Sequence, residues 1–124
     1  GEQILKIGLC CEDTRQIELA ANRLFSDTLL YQWNYSFFTG AEVLSPMASK
    51  GLAVKKIIDQ MPEKPDCIAV AGDSQNDLSM FALADITFAP ETAFTEVRKA
   101  ADYIIPPPEQ GGIAQALKTL TARK

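Results

Sequence analysis

Apolar residues follow two different rhythms along this chain, with the change near residue 45. In the first part, Ile4-Leu5-Lys6-Ile7-Gly8-Leu9-Cys10 predicts a strand. Ile17, Ala20, Ala21 and Leu24 then recur at the i, i+3, i+4, i+7 spacing of one helix face. That helix starts near Thr14, with Asp13 or Thr14 as its cap. From Leu29 to Phe38 the period becomes two. Leu29, Tyr31, Trp33, Tyr35 and Phe37 share one face and Gln32, Asn34 and Ser36 lie opposite, which predicts a half-buried strand of antiparallel type. An aromatic stripe at strand period packs into a core or interface more often than it serves a ligand. Thr39-Gly40 breaks the pattern, and 41–44 predicts another short strand that Pro46 closes.

Beyond residue 45 the elements alternate. Ser49-Lys50-Gly51 opens a helix with Val54, Ile57, Ile58 and Met61 on one face, stopped by Pro62 and Pro65. The uninterrupted apolar run Cys67-Ile68-Ala69-Val70-Ala71 predicts a strand buried on both faces, as in parallel sheets covered by helices. A helix from about Asn76 to Ala84 carries Leu78, Phe81, Ala82 and Leu83. Strands at 86–88 and 103–105 flank a short helix at 95–101. After the rigid Pro106-Pro107-Pro108 loop, Gly111-Gly112 leads into a last helix with Ile113, Ala116, Leu117 and Leu120 aligned. Helix and strand alternate from Lys50 onward, so the fold class is α/β, with a parallel sheet and helices packed on it. The first third does not share this order, which places a boundary between Leu44 and Met47.

Composition narrows the picture without changing it. The 124 residues are one domain's worth, 47% apolar, with nothing that suggests disorder. A net charge of −4 argues against electrostatic nucleic-acid binding. Cys10, Cys11 and Cys67 make no disulfide framework, so reduced thiols and a cytoplasmic location are expected. With no histidine and no Cys-x-x-Cys, a zinc site is not expected, and no apolar run is long enough to span a membrane.

The chemistry gathers at Gly72-Asp73-Ser74-Gln75-Asn76-Asp77, directly after the apolar run. Ligands of open parallel sheets bind at the carboxyl ends of strands. Gly72 is expected to permit a tight turn there. Asp73 and Asp77 are four residues apart, so both carboxylates can hang near one strand end, and Asn76 adds an amide that can donate to an oxyanion. Two acids and a donor suit Mg²⁺ and the phosphate it neutralises. The same residues also fit a helix start, with Asp73 or Ser74 as N-cap and Asp77 favouring the dipole.

Ser49-Lys50-Gly51, Gly72-Asp73-Ser74-Gln75-Asn76-Asp77, Ala101-Asp102-Tyr103 and Gly111-Gly112-Ile113 together resemble the C-terminal half of a haloacid dehalogenase (HAD) superfamily phosphatase, of the Cof-type or sugar-phosphatase branch. The resemblance covers essentially the whole chain. It implies a Rossmann-like HAD core, a three-layer α/β/α arrangement around a parallel sheet, with a partial α/β cap. Residues 1–46 would be the C-terminal part of the cap and 47–124 the returning half of the core. It further implies that Lys50 holds the phosphate and the nucleophile's charge, that Asp73 binds Mg²⁺ directly, and that Asn76 and Asp77 position the phosphate and the lysine or metal shell. Lys50, Asp73 and Asp77 are thus the implied catalytic set, Lys50 and Asn76 the phosphate contacts, and Asp73 and Asp77 the metal residues. Lys50 also fits a solvated lysine at a helix start, although that is the unfavourable end for a cation.

The implied activity of an intact parent is Mg²⁺-dependent hydrolysis of a phosphomonoester through an aspartyl-phosphate. The substrate would be a small phosphorylated metabolite such as a sugar phosphate, with no nucleic-acid or membrane partner. The family's Asp-x-Asp-Gly-Thr nucleophile run does not map onto this sequence. Glu12-Asp13-Thr14 lacks its second aspartate and glycine and reads as a turn of the cap. Where the family often has Gly-Asn-Ala, this chain has Ala89-Pro90-Glu91-Thr92-Ala93, which leaves a secondary substrate contact open. The chain is accordingly expected to be inactive alone, joined by a missing N-terminal segment or self-associated. The alternatives are a catalytically silent HAD-like binding module and a receiver-like signalling domain. The receiver reading is disfavoured because residues 45–58 hold no aspartate and prolines follow Tyr103-Ile104-Ile105.

Overall fold

The computed structural model describes residues 6–24, 28–34 and 39–122. The chain divides into two compact units, residues 1–49 and 50–124.

In the first unit, β1 (Lys6–Cys11), α1 (Thr14–Leu24), β2 (Leu29–Asn34) and β3 (Thr39–Leu44) follow one another. The sheet has the order β1-β3-β2, and both pairings are antiparallel. The first strand, helix and antiparallel strand are therefore as the pattern predicts. Ile4, Leu5 and residues 35–38, with Tyr35 and Phe37 of the alternating stripe, lie outside the described residues. Thr39-Gly40 does not break the sheet but opens its central strand. Gly40 is paired with Cys10 on one side and Trp33 on the other, and ladders on both flanks override its weak strand preference. Thr39, Ala41 and Val43 are buried from β3, as is Ile17 from α1. Asp13 is the cap: its Oδ1 accepts from the Arg15 amide at 3.0 Å and its carbonyl from the Gln16 amide at 3.1 Å.

The second unit contains α2 (Lys50–Gln60), β4 (Ala69–Ala71), a 3₁₀ turn at Gln75–Asp77, α3 (Leu78–Phe81), β5 (Ile86–Pro90), α4 (Thr95–Ala100), β6 (Tyr103–Ile105) and α5 (Gly112–Thr121). The sheet is parallel in the order β4-β5-β6, with Val70 opposite Thr87 and Ala89 opposite Ile104. All five residues of β5 are buried, and alternate side chains feed two separate cores. Phe81, Ala89, Ala93 and Val97 form one, joining α3 and α4 to the sheet. Ile86, Phe88, Ile105 and Ala116 form the other beneath α5, where the Phe88 and Tyr103 rings stack 5.4 Å apart. Helices on both faces of a parallel sheet make the α/β class that the helix-strand order predicts and the α/β/α core that the resemblance implies.

One hydroxyl locks the register of β5 against β6. The Thr87 amide and Oγ1 both donate to Asp102 Oδ2 at 2.8 Å, and the Asp102 amide donates back to Thr87 Oγ1 at 2.9 Å.

Three expectations change. The run at 67–71 supplies a strand only over Ala69–Ala71, and Cys67, Ala69 and Ala71 are exposed rather than buried. Among the described strands β4 pairs with β5 alone, so its other edge stays open. Side chains of the predicted apolar faces of α2 and α5 also reach solvent, with Ile57 63% and Leu117 58% exposed. The helix expected at 76–84 shrinks to the 3₁₀ turn and the four residues of α3, because Asp77 turns its side chain back onto the preceding loop. No helix of the described residues is long and apolar enough to cross a membrane.

Candidate active site

β4 delivers its backbone to Gly72, whose amide donates to the Phe88 carbonyl at 3.1 Å and so continues the β5 pairing for one more step. Gly72 is required here by close approach and not by an unusual backbone angle, since the only positive φ among the described residues is at Gly111. A Cβ at residue 72 would lie 2.5 Å from the Asp77 Cβ and 2.9 Å from its Cγ. The glycine therefore makes the space in which the Asp77 carboxylate sits.

Asp77 is 3% exposed, and both of its oxygens are engaged. Oδ2 accepts from the Asp73 amide at 2.9 Å and from the Ser74 amide at 3.0 Å. The Asp77 amide in turn donates to the Ser74 carbonyl at 2.9 Å, closing the turn. Oδ1 meets the Lys50 ammonium at 2.5 Å, across a sequence separation of 27. Burial pushes the Asp77 carboxyl up. The hydrogen bond from Lys50 and the amides of Ser74 and Asp73 outweigh that, and the group lies below its ordinary value. The buried anion is thereby compensated, while the Lys50 side chain keeps 49% of its surface in solvent.

Lys50 is brought here by the start of α2. The Gly51 amide donates to Ser79 Oγ at 3.0 Å, and Ser79 Oγ donates to the Asn76 carbonyl at 3.2 Å. Gly51 is buried, and a Cβ on it would collide with the Ser79 carbonyl. Asp73, exposed at the carboxyl end of β4, is fixed from its other side by the Phe94 amide, which donates to its carbonyl at 3.0 Å. Lys50, Asp73, Asn76 and Asp77 thus converge at one strand end. Sequence reasoning missed Ser79 and had Gly51 only as part of the Ser49-Lys50-Gly51 motif. The one legible trace of Ser79 is its place among the apolar Leu78, Met80 and Phe81.

The donor set can be compared with what Mg²⁺ takes, which is one or two carboxylates completed by phosphate oxygens and water. The Asp73 carboxylate is exposed, and Asn76 Oδ1 is buried without a hydrogen-bond partner in the protein. Two hard oxygens at a strand end fit that ion in kind. They do not complete its shell, and among the described residues no cluster of three or more His, Cys, Asp or Glu could hold a metal. Asp77, expected beside Asp73 as a metal residue, has its oxygens on Lys50 and on main-chain amides instead. Asp13 is far from this chemistry in sequence and caps α1, consistent with a structural turn.

Comparison with known proteins identifies the family of the chain. The family model for haloacid dehalogenase-like hydrolases matches residues 1–117. The Bacillus subtilis protein YkrA is 30% identical over 120 residues, covering 97% of this chain and 44% of YkrA. The 5-amino-6-(5-phospho-D-ribitylamino)uracil phosphatase YwtE, also of B. subtilis, is 32% identical over 120 residues, covering 97% of this chain and 42% of YwtE. The solved structure of a HAD subclass IIB sugar phosphatase superposes with a TM-score of 0.74 at 28% identity, over 93% of this chain and 43% of that one. The chain spans less than half the length of these relatives. It belongs to the haloacid dehalogenase-like hydrolases.

Proposed function

We propose that this chain is the lysine-and-acid half of a Mg²⁺-dependent phosphatase that hydrolyses a small phosphomonoester, of the sugar-phosphate class, through an aspartyl-phosphate. The observation that carries the reading is the Lys50–Asp77 pair, held by the Asp73 and Ser74 amides at the carboxyl end of β4. Two of the relatives bear the names of phosphatases of phosphorylated metabolites, which supports the substrate class. On this reading residues 1–46 are part of a cap and 47–124 are half of a core.

Lys50 presents a compact ammonium to the phosphate and lowers the cost of bringing an anionic nucleophile near it. Asp77 keeps that ammonium aimed through their direct contact. Asp73, with Asn76 beside it, would hold Mg²⁺, which supplies charge neutralisation at the phosphoryl oxygens. The 124 residues contain no Asp-x-Asp-Gly-Thr run, so the attacking aspartate is assigned to a segment other than this one.

The test is hydrolysis of para-nitrophenyl phosphate with Mg²⁺, by this chain and by the chain extended through its upstream coding region. The extended protein is expected to turn over and to lose activity on Asp73→Asn, and the 124-residue chain to be silent. An extended protein that binds phosphate esters without hydrolysing them would favour a silent HAD-like binding module. Turnover by the short chain that disappears on Asp13→Asn would make Glu12-Asp13 the catalytic turn and overturn the assignment.

A further inference from the structure

We infer that Ser79 is a positioning residue for this site, the joint that sets the Lys50 ammonium against the acidic turn; the inference rests on the phosphatase reading above. The first amides of an α-helix have no partner within the helix. At the start of α2 the Gly51 amide, next in the chain to Lys50, finds its partner in another element, at Ser79 Oγ, 3.0 Å away. The same hydroxyl spends its proton on the Asn76 carbonyl at 3.2 Å. One oxygen therefore accepts from the residue after Lys50 and donates to the residue before Asp77, using both capacities a serine has. The absence of a Cβ at Gly51 lets the helix start close onto the Ser79 main chain, so the joint is short.

This arrangement does more than pack two helices. The Lys50 side chain is half in solvent and long, and its ion pair with Asp77 alone would not hold the head group in one place. The hydroxyl holds both ends of that pair at the backbone: α2 on one side, the 75–77 turn on the other. Asn76 Oδ1, buried and unpaired, belongs to the residue whose carbonyl Ser79 holds. Ser79 is assigned no contact with substrate or metal. It fixes where Lys50 and Asn76 stand relative to each other, and phosphoryl transfer is sensitive to such placement.

The test uses Ser79→Ala, which removes the oxygen, Ser79→Thr, which restores it, and Ser79→Cys, which keeps the side-chain volume with a weak hydrogen-bonding group. In this chain, NMR follows amide exchange at Gly51 and the ¹⁵N-bound ammonium signal of Lys50, with Val97 exchange reporting whether the unit stays folded. In the extended protein, kcat and KM are measured separately on a phosphomonoester. Ser79→Ala is expected to speed Gly51 exchange, to release the Lys50 ammonium signal into fast exchange with water, and to lower kcat on the order of 10- to 100-fold with KM little changed. Ser79→Thr is expected to restore all three. If Ser79→Ala does not fold, Ser79→Cys is read in its place.

A Lys50 signal and a kcat like wild type, despite faster Gly51 exchange, would overturn the inference and leave Ser79 as a packing contact. An extended wild type with no turnover would refute the phosphatase reading, and the Lys50 signal alone would then decide whether Ser79 positions it.

Discussion

Asp77→Ala is the perturbation whose size can be worked most directly from the geometry. The carboxylate carries one charge-assisted contact to Lys50 and two main-chain hydrogen bonds, with a side chain only 5% exposed. A hydrogen bond to a charged group contributes about 1.5–3 kcal/mol net, and a buried donor left without a partner costs about 1–3. Lys50 is half exposed and Asp73 is exposed, so water relieves both when the carboxylate goes. The lost bonds, discounted for that relief, sum to about 3–5 kcal/mol. Asp77→Asn keeps one oxygen for the two amides but turns an NH2 donor toward Lys50 in place of the accepting oxygen, so about 1.5–3 kcal/mol is expected.

The pH dependence has a definite sign. The folded carboxyl lies below its ordinary value of 3.8, so its contribution is present in full above that value and is lost as pH falls through the lower folded value. The gap between wild type and Asp77→Asn should therefore close with acidification from 3.8 downward. Urea unfolding in EDTA, followed by far-UV circular dichroism and by amide exchange at Phe88 and Val97, measures both. A loss under about 1 kcal/mol for Asp77→Ala, or a gap that stays constant into acid, would refute the claim that this carboxylate is the keystone of the turn.

Three further outcomes are expected. Gly72→Ala puts a methyl 2.5 Å from the Asp77 Cβ, so it should cost about 1–3 kcal/mol in the same urea assay; stability like wild type would mean that the turn yields without strain. Thr87→Val keeps the shape but strips the hydroxyl that both gives to and takes from Asp102, and should cost about 1–3 kcal/mol, with faster amide exchange in β6. Isothermal calorimetry of this chain with Mg²⁺ should show only weak binding, because Asp73 is the one carboxylate at the strand end whose oxygens are not committed to Lys50 and amides; tight binding lost in Asp73→Ala would mean the metal site is complete within these residues.

Local periodicity determined a good deal. Alternation in 29–34 and the i, i+3, i+4 spacing after Thr14 specify a strand and a helix by which side of each must leave water, and both stand where predicted. The helix-strand order after Lys50 specifies a parallel sheet, since parallel strands need a crossover between them. The four-residue spacing of Asp73 and Asp77 brings one acid back to the other, and Lys50 could be singled out only by resemblance.

What the sequence left open depends on neighbours distant along the chain. Ala69 and Ala71 are exposed and β4 has one described partner, and no property of the run at 67–71 records either fact. That Asp77 serves Lys50 and two amides follows from α2 docking beside the acidic turn, through Gly51 and Ser79, residues whose types alone carry no such message. Gly72 is legible as a glycine in a turn, but its reason, room for a carboxylate four residues on, exists only once the turn has closed. A side chain's own pattern fixes the face it turns inward; the partner it meets there is set by how segments far apart in sequence pack.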